Sequence, residues 1–168
     1  MAIGIAAGGT VKPEELVQQS NLVFYLLLRW LGCWIDLVVV LLLVIAPVFA
    51  PSLRGVVPDY VLGAALLIGL VVAILYFPVG EAFWGRTLGK LLTGLVIIDR
   101  DGRPPGVGKA LLRTLLRLIE VNPLLMGAIP AAIAVLASEH RQRLGDMAAR
   151  TFVVRSKHLK EARIGAPF

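Results

Sequence analysis

The chain has 168 residues, 58% of them hydrophobic, with a formal net charge of +6 and a mean hydropathy of +0.83. A soluble domain is about 45–50% apolar, so this composition excludes an ordinary soluble domain and calls for an integral membrane protein with one small helical bundle. No recognition motif accompanies the basic excess, so nucleic acid is not an expected partner; the charge reads as flanking residues that meet the lipid bilayer.

Residues 1–21 read as a polar, mobile tail ending in a short helix. They lack a basic lead into a short apolar core and are not read as a signal peptide. The first apolar stretch follows, from Leu22 to Ala50, and predicts a span over about 22–46 ended by Pro47 and Pro51. Arg29 and Asp36 are its only charges. A charge at the bilayer centre costs roughly 2.5–3.5 kcal/mol on insertion scales. Seven residues at about 100° each return within about 20° of the start, so the two share a helix face, about 10.5 Å apart along the axis. The Arg side chain leans toward the N-terminus, away from Asp36, so each needs a partner elsewhere. Arg29 lies within two turns of the helix start and can also snorkel. Asp36 has no such escape and is expected to be buried. Cys33, the single cysteine, allows no internal disulfide.

A second span is predicted over about 60–78, with a small-residue face at Gly63, Ala64, Ala65 and Gly69. Tyr60, Tyr76, Phe77, Phe83 and Trp84 fit interfacial aromatic belts. Residues 79–105 change character. Gly85 to Lys90 reads GRTLGK, which fails as a phosphate loop because three residues, not four, separate the glycines and Leu91 follows the lysine. Gly94 to Asp99 predicts a strand ending in a turn at Asp101-Gly102.

Residues 107–120 predict a helix with Lys109, Arg113 and Arg117 on one stripe at i, i+4 and i+8. Two readings of the stripe stand: a lipid-facing anchor, or carboxylate pairing inside the bundle. Val121 to Ser138 is uncharged but broken by Pro123, Gly127 and Pro130, and its length of about 27 Å is marginal for a crossing. Thr151 to Arg155 is a second strand candidate, expected to pair with the first because each alone is too short to be stable. Residues 157–168 read as a basic tail. His140 and His158 have no acidic or Cys partners at ligand spacing, and no nucleophile stands with a base, so no enzyme activity, metal or cofactor is expected.

Lysines and arginines set the expected topology. Residues 47–59 hold one, residues 79–120 seven and residues 139–168 seven. The positive-inside rule puts both basic regions in the cytoplasm. Three simple crossings cannot do that, whereas a hairpin over 107–138 that enters and leaves on one side can. The expected fold is therefore an all-α integral membrane protein: two full transmembrane helices, a membrane-inserted helical hairpin and a short cytoplasmic β-ribbon, within 22–156. The expected location is the plasma membrane, multi-pass, with cytoplasmic termini. Arg113, presented on the hairpin, is the expected partner of Asp36.

Arg29 and Asp36 in LLRWLGCWIDLVVV, with GRTLGKLLTGLVIIDRDGRPPGVGKALLRTLLR and RQRLGDMAARTFVVR, resemble the RDD family of small membrane proteins, named for one arginine and two aspartates. The resemblance covers about 22–156. Arg29 and Asp36 match the first two letters; Asp146 is the first choice for the third and Asp99 the alternative. It implies a polytopic helical membrane protein. A transport role has been proposed for the family, with cation/proton exchange attributed to some members. On that reading Asp36 would hold a cation or proton and Arg29, Asp146 and Arg113 would complete a charge network. The rival reading is a non-transporting subunit or assembly factor whose charges lock helices together. Two spans and a hairpin make a thin wall for a pathway, so transport would call for a homo-oligomer or another membrane protein.

Overall fold

The computed structural model describes residues 12–49, 58–120 and 129–164. Its elements run α1 Pro13–Gln18, α2 Leu22–Phe49, α3 Asp59–Trp84, α4 Leu88–Leu92, β1 Leu95–Asp99, α5 Gly106–Glu120, α6 Ile129–Ala137, α7 Leu144–Ala148, β2 Thr151–Arg155 and α8 Ser156–Ile164.

The helices α2 and α3 are the two long apolar ones. Each offers a 25-residue candidate span, and only 11% of its most apolar window is buried within the protein. A soluble core helix would be covered on most sides, whereas these leave Leu42, Leu67, Ile68 and Ile74 exposed, as helices solvated by lipid do. Asn21 starts α2 by accepting the Val23 and Phe24 amides at 3.0 and 3.4 Å.

Both helices run past their expected ends, each through a proline. The first continues through Pro47 to Phe49, and the second through Pro78 to Trp84. A proline removes one helix hydrogen bond, but in an apolar solvent leaving the helix exposes more backbone than staying in it. What ends α3 is Gly85, at φ 64, whose N–H donates to Glu81 O at 3.1 Å, while Arg86 N–H donates to Gly80 O at 3.2 Å. The small-residue face of α3 is used in part. A Cβ on Gly69 would stand 2.5 Å from the Leu43 carbonyl oxygen, so the two backbones touch there, whereas Gly63 faces open space.

Beyond Gly85 the chain builds a small packed end. The strands β1 and β2 pair antiparallel, with Leu95 opposite Arg155 and Asp99 opposite Thr151. Their side chains form a core with Leu16, Val17 and Tyr25. The short helix expected at the end of the 1–21 tail is present at residues 13–18, but it is packed rather than mobile, with Leu16 and Val17 buried against β2. The tail's first eleven residues lie outside the described ones, as do residues 50–57 of the loop. Within the expected C-terminal tail, α8 continues from β2 to Ile164.

Within the expected hairpin, α5 covers the first arm and α6 residues 129–137 of the second, and the two touch one another. Their connection, residues 121–128 with Pro123 and Gly127, lies outside the described residues. The helix α5 packs against α3 and α7. It turns Leu111 and Leu115 outward and Arg113 and Arg117 inward.

Candidate functional site

One face of α2 carries Tyr25, Arg29, Gly32 and Asp36, at intervals of four, three and four residues, and this face meets the rest of the protein. Arg29 does not snorkel. Its Nη2 donates to Asp146 Oδ2 at 2.8 Å and its Nη1 to the Tyr25 hydroxyl at 2.8 Å. Tyr25 in turn donates to the Val153 carbonyl of β2 at 3.0 Å.

Asp146 sits in the first turn of α7. It also accepts Arg113 Nη1 at 2.5 Å and Arg143 Nε at 3.1 Å. Burial by itself would raise its carboxyl, but Arg113, Arg29 and Arg143 together hold it well below the usual carboxylate range. Burial brings the Arg143 guanidinium down to about 10, against the pull of Asp146.

A second carboxylate, Glu81 on α3, faces the same arginine. Arg113 Nε donates to Glu81 Oε2 at 2.9 Å and Lys90 Nζ to Oε1 at 3.0 Å, and Arg117 Nη2 also donates to Oε1. The side chains of Arg113, Glu81 and Asp146 have 0% exposure. Arg113 is thus shared between two buried acids from different elements and reaches Thr151 of β2 as well. Of the basic stripe of α5, Arg113 and Arg117 are turned inward and paired with Glu81, the carboxylate-pairing reading, while Lys109 is the exposed member. Arg117 lies over the Phe77 ring, 4.0 Å from its centre, leaving Phe77 half-buried, whereas Tyr60, Phe83 and Trp84 stay exposed as belt residues do.

Asp36 is buried as expected, but its partner is not Arg113. Its Oδ1 accepts the Tyr76 hydroxyl at 2.6 Å and the Gly89 amide at 2.8 Å, and its Oδ2 accepts the Thr87 hydroxyl at 2.6 Å. Tyr76 accepts the Leu88 amide at 2.9 Å. The carboxylate therefore closes the start of α4. The arrangement needs glycine at 89, where a Cβ would overlap the Gly32 carbonyl oxygen and come within 2.8 Å of the Asp36 carboxyl. The expectation failed because α4, not α5, covers this stretch of α2, while Arg113 lies at the sheet end.

Asp99 stands apart. It closes the turn after β1 by accepting the Asp101 and Arg103 amides at 2.9 and 3.0 Å, and it pairs with the 41%-exposed Lys109 at 3.3 Å. Burial raises its carboxyl, but those donors outweigh it and leave the group below its ordinary value. The aspartate brought to Arg29 is Asp146.

The two acid sites are joined. Lys90 Nζ also donates to Thr87 Oγ1 at 3.5 Å. A polar line then runs from Asp36 through Thr87, Lys90, Glu81, Arg113, Asp146, Arg29 and Tyr25 to the backbone of β2. Burial brings the Lys90 ammonium down to about 8, against Glu81, which favours its charge.

Glu81 and Lys90 were not singled out in the sequence. Ending the second span at Pro78 put Glu81 in a polar connector. Carried to Trp84, residues 60–84 contain one charged side chain, Glu81, and that would have marked it as Asp36 was marked. Among the described residues, no group of three or more His, Cys, Asp or Glu side chains could hold a metal ion.

A family model described as the RDD family matches residues 26–150, a stretch that contains Arg29, Asp36, Glu81, Arg113 and Asp146. No curated protein and no solved structure matches the chain.

Proposed function

The chain belongs to the RDD family and is a membrane protein, and from that premise we propose that its charge network is a clasp, and that the protein is a non-transporting membrane subunit or assembly factor. The observation that carries this reading is the saturation of the buried acids. Glu81 meets Lys90, Arg113 and Arg117, and Asp146 meets Arg29, Arg113 and Arg143. A carboxylate that binds and releases a solute cation needs an open coordination position, and these have protein cations instead. Their geometry fits joining: Arg113 ties α3 to α7, and Arg29 ties α2 to α7. No enzymatic step is assigned.

The membrane placement proposed with this reading is multi-pass in the plasma membrane. The hairpin over 107–138 returns to the side it left, and both basic regions and both termini are cytoplasmic. Single cysteines at the exposed positions Arg103 and Lys160, in a Cys33→Ser background, would both resist an impermeant thiol reagent in intact cells. Labelling of either from outside overturns this placement.

A second reading is favoured by one specific observation. Among the described residues Asp36 meets no cation directly, and Thr87 links it to Lys90, whose ammonium lies at about 8. A proton or small cation moving between these groups would make the protein part of a transport pathway, built with a second copy or another membrane protein. Purified protein in liposomes separates the readings. The clasp predicts no pH-gradient or cation flux above empty liposomes. Flux that Asp36→Asn abolishes, in a variant still folded at the assay temperature, overturns the clasp in favour of transport.

A further inference from the structure

A groove of about 520 Å³ lies between α3 and α4, within the size range of small-ligand sites. Its walls are Val72 and Val79 on one side and Leu88 and Leu91 on the other, with Trp84 and Arg86 also lining it. Tyr76 and Thr87 line it too, but their hydroxyls are given to Asp36. Among the described lining residues Arg86 is the one charged group. It is exposed, and its side chain makes no hydrogen bond or ion pair within the described residues, unlike Lys90, Arg113 and Arg117, which are turned to Glu81.

Arg86 follows the last turn of a membrane-spanning helix, beside an exposed tryptophan, at the level where headgroups begin. From Val79 back to Val72 the groove follows α3 for about 10.5 Å toward the middle of the span. An apolar channel running into hydrocarbon, with an unpaired guanidinium at its end, matches one occupant in both parts. We propose that this groove binds an anionic phospholipid, with an acyl chain along α3 and the headgroup phosphate on Arg86. This inference rests on the membrane location alone and holds under either reading of the charge network.

The test is retention of lipid by the full chain, extracted from bilayers of equal phosphatidylglycerol and phosphatidylcholine and weighed by native mass spectrometry. The parent should retain phosphatidylglycerol in preference. Arg86→Gln should reduce that preference about fivefold, the weight of one basic residue at an anionic surface. Val79→Trp, which fills the groove, should abolish retention of both lipids. If that variant fails to fold, Leu91→Trp fills the groove from the opposite wall with the same expected loss. Equal retention of the two lipids by the parent overturns the proposal, as does an undiminished preference in Arg86→Gln or undiminished retention once the groove is filled.

Discussion

Helix α2 carries two polar side chains into two different surroundings. Arg29 enters a region where every acid faces cations: Asp146 meets three and so does Glu81. Two turns later Asp36 enters a region where, among the described residues, no cation touches it and a tyrosine, a threonine and a backbone amide do the holding. In the first region the stakes are electrostatic, because removing one partner leaves buried charges uncompensated. In the second they are hydrogen bonds and close packing, which can be lost one at a time.

The largest effect that would test this contrast is Asp146→Asn. It takes the negative charge from Arg29 and Arg113 at a fully buried site, at a cost of roughly 3–5 kcal/mol. The expected outcome is little or no folded protein on detergent extraction, read by size exclusion and thermal unfolding. In the Asp36 region packing dominates. Gly89→Ala puts a methyl group into the Gly32 carbonyl and the Asp36 carboxyl; the first wall is backbone and the second a carboxyl held by three hydrogen bonds. The cost should be about 3 kcal/mol, while Gly63→Ala, facing open space, should melt like the parent.

Asp36→Asn keeps the shape but weakens its acceptors, and should cost about 2 kcal/mol. Arg113→Gln should not rescue it, since the two side chains are not a pair; recovery in the double variant would break the contrast. Tyr76→Phe removes one of the three donors to Asp36 and should cost about 1 kcal/mol. The smallest effect is a titration. Acylation of Lys90, followed by peptide mass spectrometry, should rise with a midpoint near pH 8 rather than the ordinary 10.5. The sign for stability follows: between about pH 8 and 10.5 the unfolded chain binds the extra proton, so this group makes stability rise with pH across that window. An unshifted midpoint would mean that Lys90 is hydrated and the line from Asp36 to Glu81 is open there.

Much of this was legible where the signal is local. The short run of strand-forming residues at Thr151 to Arg155 became β2 over those residues, and Gly94 to Asp99 became β1 less its glycine. Arg29 and Asp36 stood out because charges in an apolar run are costly wherever they lie. Glu81 was missed because the predicted second span stops at about residue 78. In lipid, where freed backbone groups are not hydrated, the helix carries on to the glycine that can turn it. The short helices α4 and α7 had no such signal, since five residues hold no helix without tertiary contacts.

The sequence by itself determined the solvent, the two long helices, the two strands and the fact that Arg29 and Asp36 must be satisfied. Each of those follows from a residue's own cost or from a pattern within one element. Only the tertiary structure decided who satisfies them. Arg113 pairs with Glu81 and Asp146, and Asp36 with the start of α4, because a partner's identity depends on which face of which element arrives at a given depth. That was set here by the close contact of Gly32 with Gly89 and by the sheet that draws α2, α5 and α7 together at one end.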